Sequence, residues 1–264
     1  MRQLKLFSVT LLTFFLCNNG AKSQTPSDAL MMPGKKACVL LNYDFSHFDE
    51  YWEGDLLRKN QTIASIRIQS ALPMVAVGIF DKLNLFVGVP YIKTQSTEPN
   101  GGKFAGAQGF QDFMVAMKWE IVKKTVANGE LSALATVGFS NPLTNYLSDY
   151  KPYSIGNGAP ELSYRGIVQY TLQNNFYLRV AGAYLWRGYT EAERDYYYNN
   201  GSYYTPWMDV PSAWQYELVL GKWFLEKRLK LELNYQGLKS VSGDDIRAYN
   251  AAQPTNKVNF DRVG

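Results

Sequence analysis

The feature that most constrains this chain is a period-two alternation of apolar and polar residues. Near its start, Val39, Leu41 and Tyr43 alternate with Asn42 and Asp44. The segments 112–121, 161–172, 176–187 and 229–236 repeat this pattern. Because successive side chains of a strand point to opposite faces, the alternation predicts strands with one apolar and one polar face. The predicted fold class is therefore all-β.

The predicted strands are long, at roughly ten residues or more, whereas strands of soluble sheets usually have about five or six. A tilted strand of roughly ten residues crosses the hydrocarbon core of a bilayer. The hairpin at 77–92 reads VGIFDKLNLFVGVPYI and carries charges only at Asp81 and Lys82. We expect the apolar face of this hairpin to contact lipid. No stretch beyond the N-terminal region reaches 18 apolar residues, which argues against a helical membrane protein.

The connections between the predicted strands alternate between short and long. Short turns are expected near 81–82, 123–130, 174–175 and 226–228, and long polar loops near 49–61, 95–109, 143–159, 190–213 and 242–256. Short periplasmic turns alternating with long outer loops are typical of bacterial outer-membrane barrels. We therefore predict an antiparallel up-and-down transmembrane β-barrel over residues 37–264, with about ten strands visible in the sequence.

Aromatic residues support the same architecture, since they make up 15% of the chain. The rings fall near the ends of the apolar strand faces, where two belts would meet the two headgroup regions of a bilayer. The belt at the loop ends would contain Phe45, Tyr91, Phe113, Tyr164, Trp186, Trp214 and Tyr235. The belt at the turn ends would contain Trp119, Tyr170 and Phe176. A soluble core is the alternative, but it would scatter these rings along the strands.

The N-terminus predicts export. Arg2 and Lys5 precede a short apolar core, and Ala21 and Ser23 place small residues before a cleavage site at Gln24. Residues 1–23 are thus a predicted signal peptide and residues 24–36 a short N-terminal lead. A lipoprotein site at Cys17 is the alternative, but the preceding residues are bulky. The predicted location is the outer membrane, and the lone remaining Cys38 can form no intrachain disulfide.

The C-terminus predicts an incomplete last strand. A barrel in lipid must close, because an open edge leaves backbone groups without hydrogen bonds. Many such barrels end in an aromatic residue that the outer-membrane assembly machinery recognises, whereas this sequence ends Asp-Arg-Val-Gly. We expect further strand residues to follow, and we expect the assembly machinery and outer-membrane lipid to be partners.

The composition argues against several other functions. A net charge of +4 with 19% charged residues is too mild and too evenly spread for a nucleic-acid-binding protein. The chain has one histidine, His47, and the adjacent Ser46 would point to the opposite strand face, so the two cannot form a catalytic pair. No phosphate loop or metal-ligand cluster is present in the sequence. We predict no enzyme activity, no cofactor and no metal.

The polar strand faces carry the candidate lumen charges, which are Asp44, Arg67, Lys118, Glu120, Glu161, Arg165, Arg179, Arg187, Glu217 and Glu232. Two interpretations remain open. Charges on neighbouring strands can pair and fill a small lumen, or they can line a pore that selects solutes. In the first case we expect a cross-strand ladder formed by Lys118, Glu120, Arg165 and Arg179.

The loop RDYYYNNGSYYTPWMD, at 194–209, is the most unusual segment. Its rings can stack on an aromatic or sugar-like solute, or they can pack on one another and cover the barrel. The candidate solute-capture residues are Tyr196, Tyr197, Tyr198, Tyr203, Tyr204 and Trp207.

The stretches LPMVAVGIFDKLNLFVGVPY, QGFQDFMVAMKW and ATVGFSNPLTNY carry a resemblance that covers about residues 70–190. They resemble the outer-membrane family of meta-pathway phenol-degradation transporters, within the fatty-acid-transporter-like β-barrel superfamily. Gln111 stands where that family has a second glycine in its strand-start motif. The lead is also too short for the N-terminal hatch domain of the fatty-acid transporters, so fatty-acid specificity is not carried over.

Together these observations predict an outer-membrane barrel that passes a small, hydrophobic or aromatic solute. The alternative is a closed structural or adhesive barrel that acts through its long extracellular loops.

Overall fold

The computed structural model describes residues 24–53, 56–148, 150–191, 197–199, 203–242 and 258–264. The strands are β1 (Ala37–Phe48), β2 (Glu50–Glu53), β3 (Leu56–Lys59), β4 (Ile66–Phe80), β5 (Leu83–Gly88), β6 (Tyr91–Ser96), β7 (Gln108–Phe110), β8 (Asp112–Val126), β9 (Gly129–Pro142), β10 (Glu161–Leu172), β11 (Phe176–Arg187), β12 (Tyr189–Glu191), β13 (Tyr197–Asn199), β14 (Tyr203–Thr205), β15 (Trp207–Asp209), β16 (Ala213–Phe224), β17 (Leu229–Ser240) and β18 (Phe260–Val263). The described part of the chain contains no helix long and apolar enough to cross a bilayer.

Twelve of these segments form one antiparallel sheet, which confirms the predicted all-β class. Its order is β1-β4, then β5 with β6, β8 with β7, and β9-β10-β11-β16-β17-β18. Since two pairs of segments share a position, the twelve segments occupy ten positions. Within the described residues, β1 and β18 form the two edges and do not pair with each other.

At each of the two shared positions, an interruption divides one long strand into two segments, and the two interruptions lie side by side. Proline has no backbone N–H and cannot donate to a strand ladder, and Pro90 separates β5 from β6. The adjacent break between β7 and β8 falls at Gln111, whose N–H donates to the Pro90 carbonyl at 2.9 Å. This hydrogen bond links the two irregular positions across the sheet.

One face of the sheet is exposed and apolar. In β10, Val168 is 49% exposed, whereas the adjacent Ile167 is 1% exposed. The alternation predicted from the sequence therefore corresponds to an alternation of exposure. The same exposed face carries Val39, Leu41, Val75, Val87, Met117, Val137, Phe139, Tyr164, Leu178, Val180, Leu218, Leu220, Leu231 and Leu233.

The opposite face is buried, and much of what it buries is polar. Its buried polar residues include Asn84, Lys118, Glu120, Ser132, Thr136, Arg179 and Glu217. Side chains two strand positions apart meet on this face, since Arg165 of β10 donates to Gln215 of β16 at 2.6 Å. Such contacts are expected where a sheet curls toward the face concerned.

The segment 24–34 lies across the buried face before the chain enters β1. Met32 packs with Leu40, Met74 and Phe86 in one apolar cluster, and Met31 packs against a second cluster around Ile167. The Gly34 N–H donates to the Asp81 carboxylate at 2.8 Å, which fixes this segment at the β4–β5 turn. The predicted lead is therefore an ordered part of the fold.

The connections differ from their predicted boundaries in detail. The turn predicted near 123–130 is much tighter, because β8 continues to Val126 and β9 begins at Gly129. Ala127 at this turn has a φ of 49°. Two of the predicted long loops contain short hairpins, formed by β2 with β3 and by the nested pairs β12–β15 and β13–β14. The tight turns all join the strands at one end, which we call the turn end. The opposite ends of the strands, where the long connections lie, are called the loop end.

Candidate functional site

The candidate site is the buried face of the sheet together with the loops above it. Nine predicted charges occupy positions on this face, and they are Asp44, Lys118, Glu120, Glu161, Arg165, Arg179, Arg187, Glu217 and Glu232. The alternation places them there because each follows the polar phase of its strand. The tenth predicted charge lies elsewhere.

The prediction that Arg67 lies among these charges is wrong. Arg67 is on the exposed face of β4, where it pairs in register with His47 of β1. Its neighbour Ile66 is 0% exposed and packs against Tyr153. Burying Ile66 fixes the phase of β4, and a side chain one residue further along must then point outward.

The most deeply buried charge is Lys118, whose partner comes from the N-terminal segment. Lys118 is 0% exposed. Its ammonium donates to the Asp28 carboxylate at 2.9 Å, the Asp28 carbonyl at 3.2 Å and the Thr25 carbonyl at 2.7 Å. Burial by itself would raise the pKa of Asp28, but the adjacent Lys118 ammonium outweighs it, so this pKa lies below its ordinary value.

Further polar contacts hold the N-terminal segment in the same place. The Thr136 hydroxyl donates to the Pro26 carbonyl at 2.9 Å. The side-chain amide of Asn84 contacts that of Gln24 at 3.1 Å. Contacts of Gln24, Pro26 and Asp28 thus extend over β5, β8 and β9, and every one of them satisfies a polar group that the sheet buries.

A second charge cluster lies on β11, β16 and β17. The Arg179 guanidinium contacts Glu232 at 2.9 Å and Glu217 at 3.3 Å. The Tyr177 hydroxyl also donates to Glu232. One buried atom of this cluster, Arg179 Nε, has no hydrogen-bond partner. The two carboxylates and the guanidinium lie over the buried face of the sheet, and their contacts link the side chains of three neighbouring strands.

The predicted ladder of Lys118, Glu120, Arg165 and Arg179 is wrong. Lys118 pairs with Asp28, Arg179 with Glu217 and Glu232, and Arg165 donates to Gln215. Two further ion pairs involve the predicted charges: Arg187 pairs with Glu161 at 2.7 Å, and Lys230 pairs with Glu232 at 3.1 Å. Lys118, Arg165 and Arg179 therefore contact partners outside the predicted ladder.

The loop 143–160 adds a polar network at the loop end. The Tyr146 hydroxyl donates to Asp112 and accepts from the Gly158 N–H at 2.9 Å. Burial and the Asp112 carboxylate raise the pKa of Tyr146 above its ordinary value, which keeps this hydroxyl protonated. The Lys151 ammonium donates to the Gly156 carbonyl at 3.0 Å and to Asn157 at 3.3 Å. Desolvation, together with the nearby Arg187 guanidinium, lowers the pKa of Lys151 to about 8.

The lowered pKa of Lys151 makes the stability of this loop depend on pH. Its ordinary pKa is 10.5 and its folded value about 8, so the opened loop binds the proton more tightly between these values. We expect the folded loop to become more stable as pH rises from about 8 towards about 10.5. The test is the rate at which a protease active over this range cleaves the loop. This rate, divided by the rate for the Lys151→Met variant at the same pH, should fall as the pH rises. Identical pH profiles for the two proteins would contradict this prediction.

The predicted loop 194–209, which we call the tyrosine loop, contains β13, β14 and β15; β13 pairs with β14, and β15 pairs with β12 just before the loop. Trp207 lies in β15 and is 53% exposed, whereas the next residue, Met208, is 0% exposed. In the pairing of β13 with β14, Tyr198 lies opposite Tyr204, Tyr197 opposite Thr205 and Tyr203 opposite Asn199. Tyr196 lies outside the described residues. The capture residues that the structure describes thus belong to two paired strand segments, with Met208 buried at their base.

Residues with catalytic or metal-binding potential are dispersed. Ser46 lies on the buried-face phase of β1 and His47 on its exposed face. In the ranges that the structure describes, no group of three His, Cys, Asp or Glu residues is placed to hold a metal ion. The chemistry offered by the described site is ion pairing, hydrogen bonding and apolar contact.

No protein-family profile matches the sequence, and no curated protein is similar to it.

Sequence reasoning missed the residues that reach the site from outside the sheet, chiefly Asp28, Tyr146 and Lys151. Thr25 and Asp28 do carry a local signal, because the Thr25 N–H donates to the Asp28 carboxylate at 2.6 Å in a turn-like motif. That motif predicts an ordered turn. It gives no indication of the long-range contact with Lys118.

Proposed function

We propose that this chain is an outer-membrane β-barrel that passes small, hydrophobic or aromatic solutes. The observation that carries the proposal is the distribution of residues between the two faces of the sheet. Large apolar residues are exposed and charged residues are buried, the reverse of the usual distribution in a water-soluble protein. Soluble monomers rarely expose a contiguous apolar patch larger than a few hundred Å². Lipid is the solvent in which an apolar outer face and a polar interior are both favourable.

The aromatic residues support the same proposal. Trp186 and Trp214 are exposed at the loop ends of β11 and β16, and Trp119 and Phe176 are exposed towards the turn ends of β8 and β11. Rings at both ends of an aliphatic band match the two interfaces of a bilayer. In the proposed barrel, the turn end faces the periplasm and the loop end faces outward.

Barrel closure is part of the proposal. The outer edge of β1 and the outer edge of β18 each present unpaired backbone groups within the described residues. Such edges are unfavourable in lipid, because no water is present to satisfy them. We therefore propose that β1 pairs with the strand that contains β18 and so closes the barrel.

The proposed solute class depends on the outer loops and on the family resemblance. An exposed Trp207 on an anchored hairpin offers an aromatic surface to solutes that arrive at the loop end. The resemblance to the phenol-degradation transporters implies hydrophobic or aromatic cargo. Loops on a rigid scaffold are where binding residues are commonly found.

A closed structural or adhesive barrel is the second candidate, and one observation favours it. The segment 24–34 covers the buried face near the turn end, while Tyr153 packs with Phe104 and Tyr150 towards the loop end. These two groups occupy interior space at both ends of the sheet. If neither group is displaced, the proposed barrel conducts no solute.

Solute flux into liposomes tests the proposal. We expect liposomes containing the full chain to take up small aromatic solutes faster than protein-free liposomes. Replacing Trp207 by Ala together with Tyr196, Tyr197 and Tyr198 by Ser should reduce this uptake, because the rings hold solute before it enters. The barrel should still assemble, since these residues lie in a loop. Replacing the surface residue Lys103 by Gln serves as the loop control.

The possible outcomes separate the two candidates. Flux equal to that of protein-free liposomes favours the closed barrel. Flux that the loop variant leaves unchanged, or raises, for every aromatic and aliphatic solute removes the tyrosine loop from the mechanism. A selective loss of aromatic solutes supports both the transport proposal and the role of the rings.

A further inference from the structure

The turn end of the sheet carries an excess of cations. Lys82 lies in the β4–β5 turn, Lys123 and Lys124 precede the β8–β9 turn, and Lys227 and Arg228 lie in the β16–β17 turn. All five side chains are exposed.

The acidic residues at this end are fewer, and two of them are already engaged. Asp81 accepts the Gly34 N–H at 2.8 Å, and Glu130 pairs with Lys123 at 3.3 Å. Glu226 lies in the same turn as Lys227 and Arg228. The exposed cations therefore outnumber the acids, and an anionic surface is the complementary partner.

One of these cations borders an apolar recess on the exposed face. The recess has a volume of about 340 Å³ and is lined by Phe80, Lys82, Leu83 and Trp119. Leu83 and Trp119 are paired in register, and Phe80 and Trp119 are largely exposed. A site with apolar walls and an ammonium group at its rim fits an amphiphile with a negatively charged head.

A second cation repeats this arrangement on β16. The Lys222 ammonium lies 4.3 Å from the ring centre of Phe176 and 5.1 Å from that of Phe224. Both rings are on the exposed face. These contacts hold the ammonium at the boundary between the apolar band and the turn end. Lys82 and Lys222 thus each join an exposed aromatic surface to a positive charge.

We propose that the turn end binds the headgroups of anionic phospholipids. The inference rests on the proposed membrane location and adds the lipid class that this end selects. Lys82 and Lys222 contact lipid phosphates, while the recess beside Trp119 holds the upper part of an acyl chain. Each ammonium near an anionic lipid surface favours it by roughly fivefold over a neutral one.

Quenching of Trp119 by brominated phospholipids tests the inference. The full chain is refolded into phosphatidylcholine vesicles that contain either brominated phosphatidylcholine or increasing fractions of brominated phosphatidylglycerol. The difference in emission between the wild-type protein and the Trp119→Phe variant isolates the signal from the turn end. We expect phosphatidylglycerol to quench this signal as if enriched about fivefold over its bulk fraction.

Two variants separate the turn end from general surface charge. The Lys82→Gln/Lys222→Gln variant should lose most of the enrichment. The Lys239→Gln variant should keep it, because Lys239 is exposed at the loop end, where it pairs in register with Trp214. Equal losses in both variants would assign the effect to net charge and overturn the inference.

The remaining outcomes are also decisive. Insertion into vesicles with equal quenching by the two lipids overturns this inference and leaves the proposed membrane location intact. Failure to insert into either vesicle overturns the proposed function itself. Loss of the enrichment in inorganic phosphate, but not in potassium chloride of equal ionic strength, would assign the cations to free phosphate and overturn the lipid inference.

Discussion

We expect the Val168→Arg substitution to prevent assembly of the protein in a bilayer. Val168 lies in the middle of β10 and is 49% exposed on the apolar face. An arginine on the lipid face near the bilayer midplane costs about 2–4 kcal/mol. That cost is a large share of a typical folding free energy of about 5–15 kcal/mol. Heat-modifiable migration of the protein after refolding in lipid measures the folded fraction, which should fall sharply.

The adjacent position provides the matched control. Gln169 points to the polar face of the same strand and donates to the Thr171 hydroxyl at 3.1 Å. Gln169→Glu places a charge one residue away on the buried polar face, opposite Arg179 of β11, so we expect the folded fraction to remain high. In a water-soluble sheet the loss at position 168 would be small, because an exposed arginine there would cost little. Assembly of Val168→Arg to the same extent as Gln169→Glu would therefore contradict the proposed membrane location.

The faces of most strands could be predicted because alternation is a local property of the sequence. In β10 and β17 most of the apolar residues fall on one parity, with Ile167 and Leu238 as the exceptions, so the exposed face follows without knowledge of the neighbouring strand. The long strands and the order of consecutive hairpins follow in the same way, since each tight turn pairs the strands on either side of it. The predicted all-β antiparallel sheet rests on these local signals alone.

The phase of β4 could not be predicted, because apolar residues occupy both of its faces. Ile66 and Met74 are buried, whereas Val75 and Ile79 are exposed. A strand with apolar residues on both parities gives no preference to either register. The side of Arg67 is decided by the packing of Ile66 against Tyr153, which lies far away in the sequence.

The partners of the buried charges lie beyond local patterns for a related reason. Lys118 and Asp28 are separated by 90 residues, and no periodic signal connects a strand to a short irregular segment. Arg179 pairs with Glu217 and Glu232 on the next two strands of the sheet. The predicted strand order places these strands side by side, but it does not determine which of their charged residues form ion pairs. The polar phase of a strand shows that a charge is buried. Which group satisfies that charge depends on how the chain crosses the buried face.

The ion pair of Lys118 and Asp28 leads to the second large effect that we expect. Lys118→Met removes the ammonium and leaves the Asp28 carboxylate buried without its cation. Breaking a buried ion pair by removing one partner costs about 3–5 kcal/mol, because the remaining charge is neither solvated nor paired. Unfolding of the refolded protein in urea should therefore begin at clearly lower urea concentration than for the wild-type protein.

The double variant Lys118→Met/Asp28→Asn separates the ion pair from simple packing. It removes both charges, so no unpaired ion remains, and we expect it to be more stable than Lys118→Met alone. The amide oxygen introduced by Asp28→Asn can still accept a hydrogen bond from the Thr25 N–H, which in the wild-type protein donates to the Asp28 carboxylate at 2.6 Å. If the two substitutions were additive, Lys118 would contribute only its aliphatic contacts, such as the one with the Phe86 ring. A coupling free energy near zero would thus show that the N-terminal segment is not held in the interior by this ion pair, and it would leave apolar packing around Met32 as the contact that holds it there.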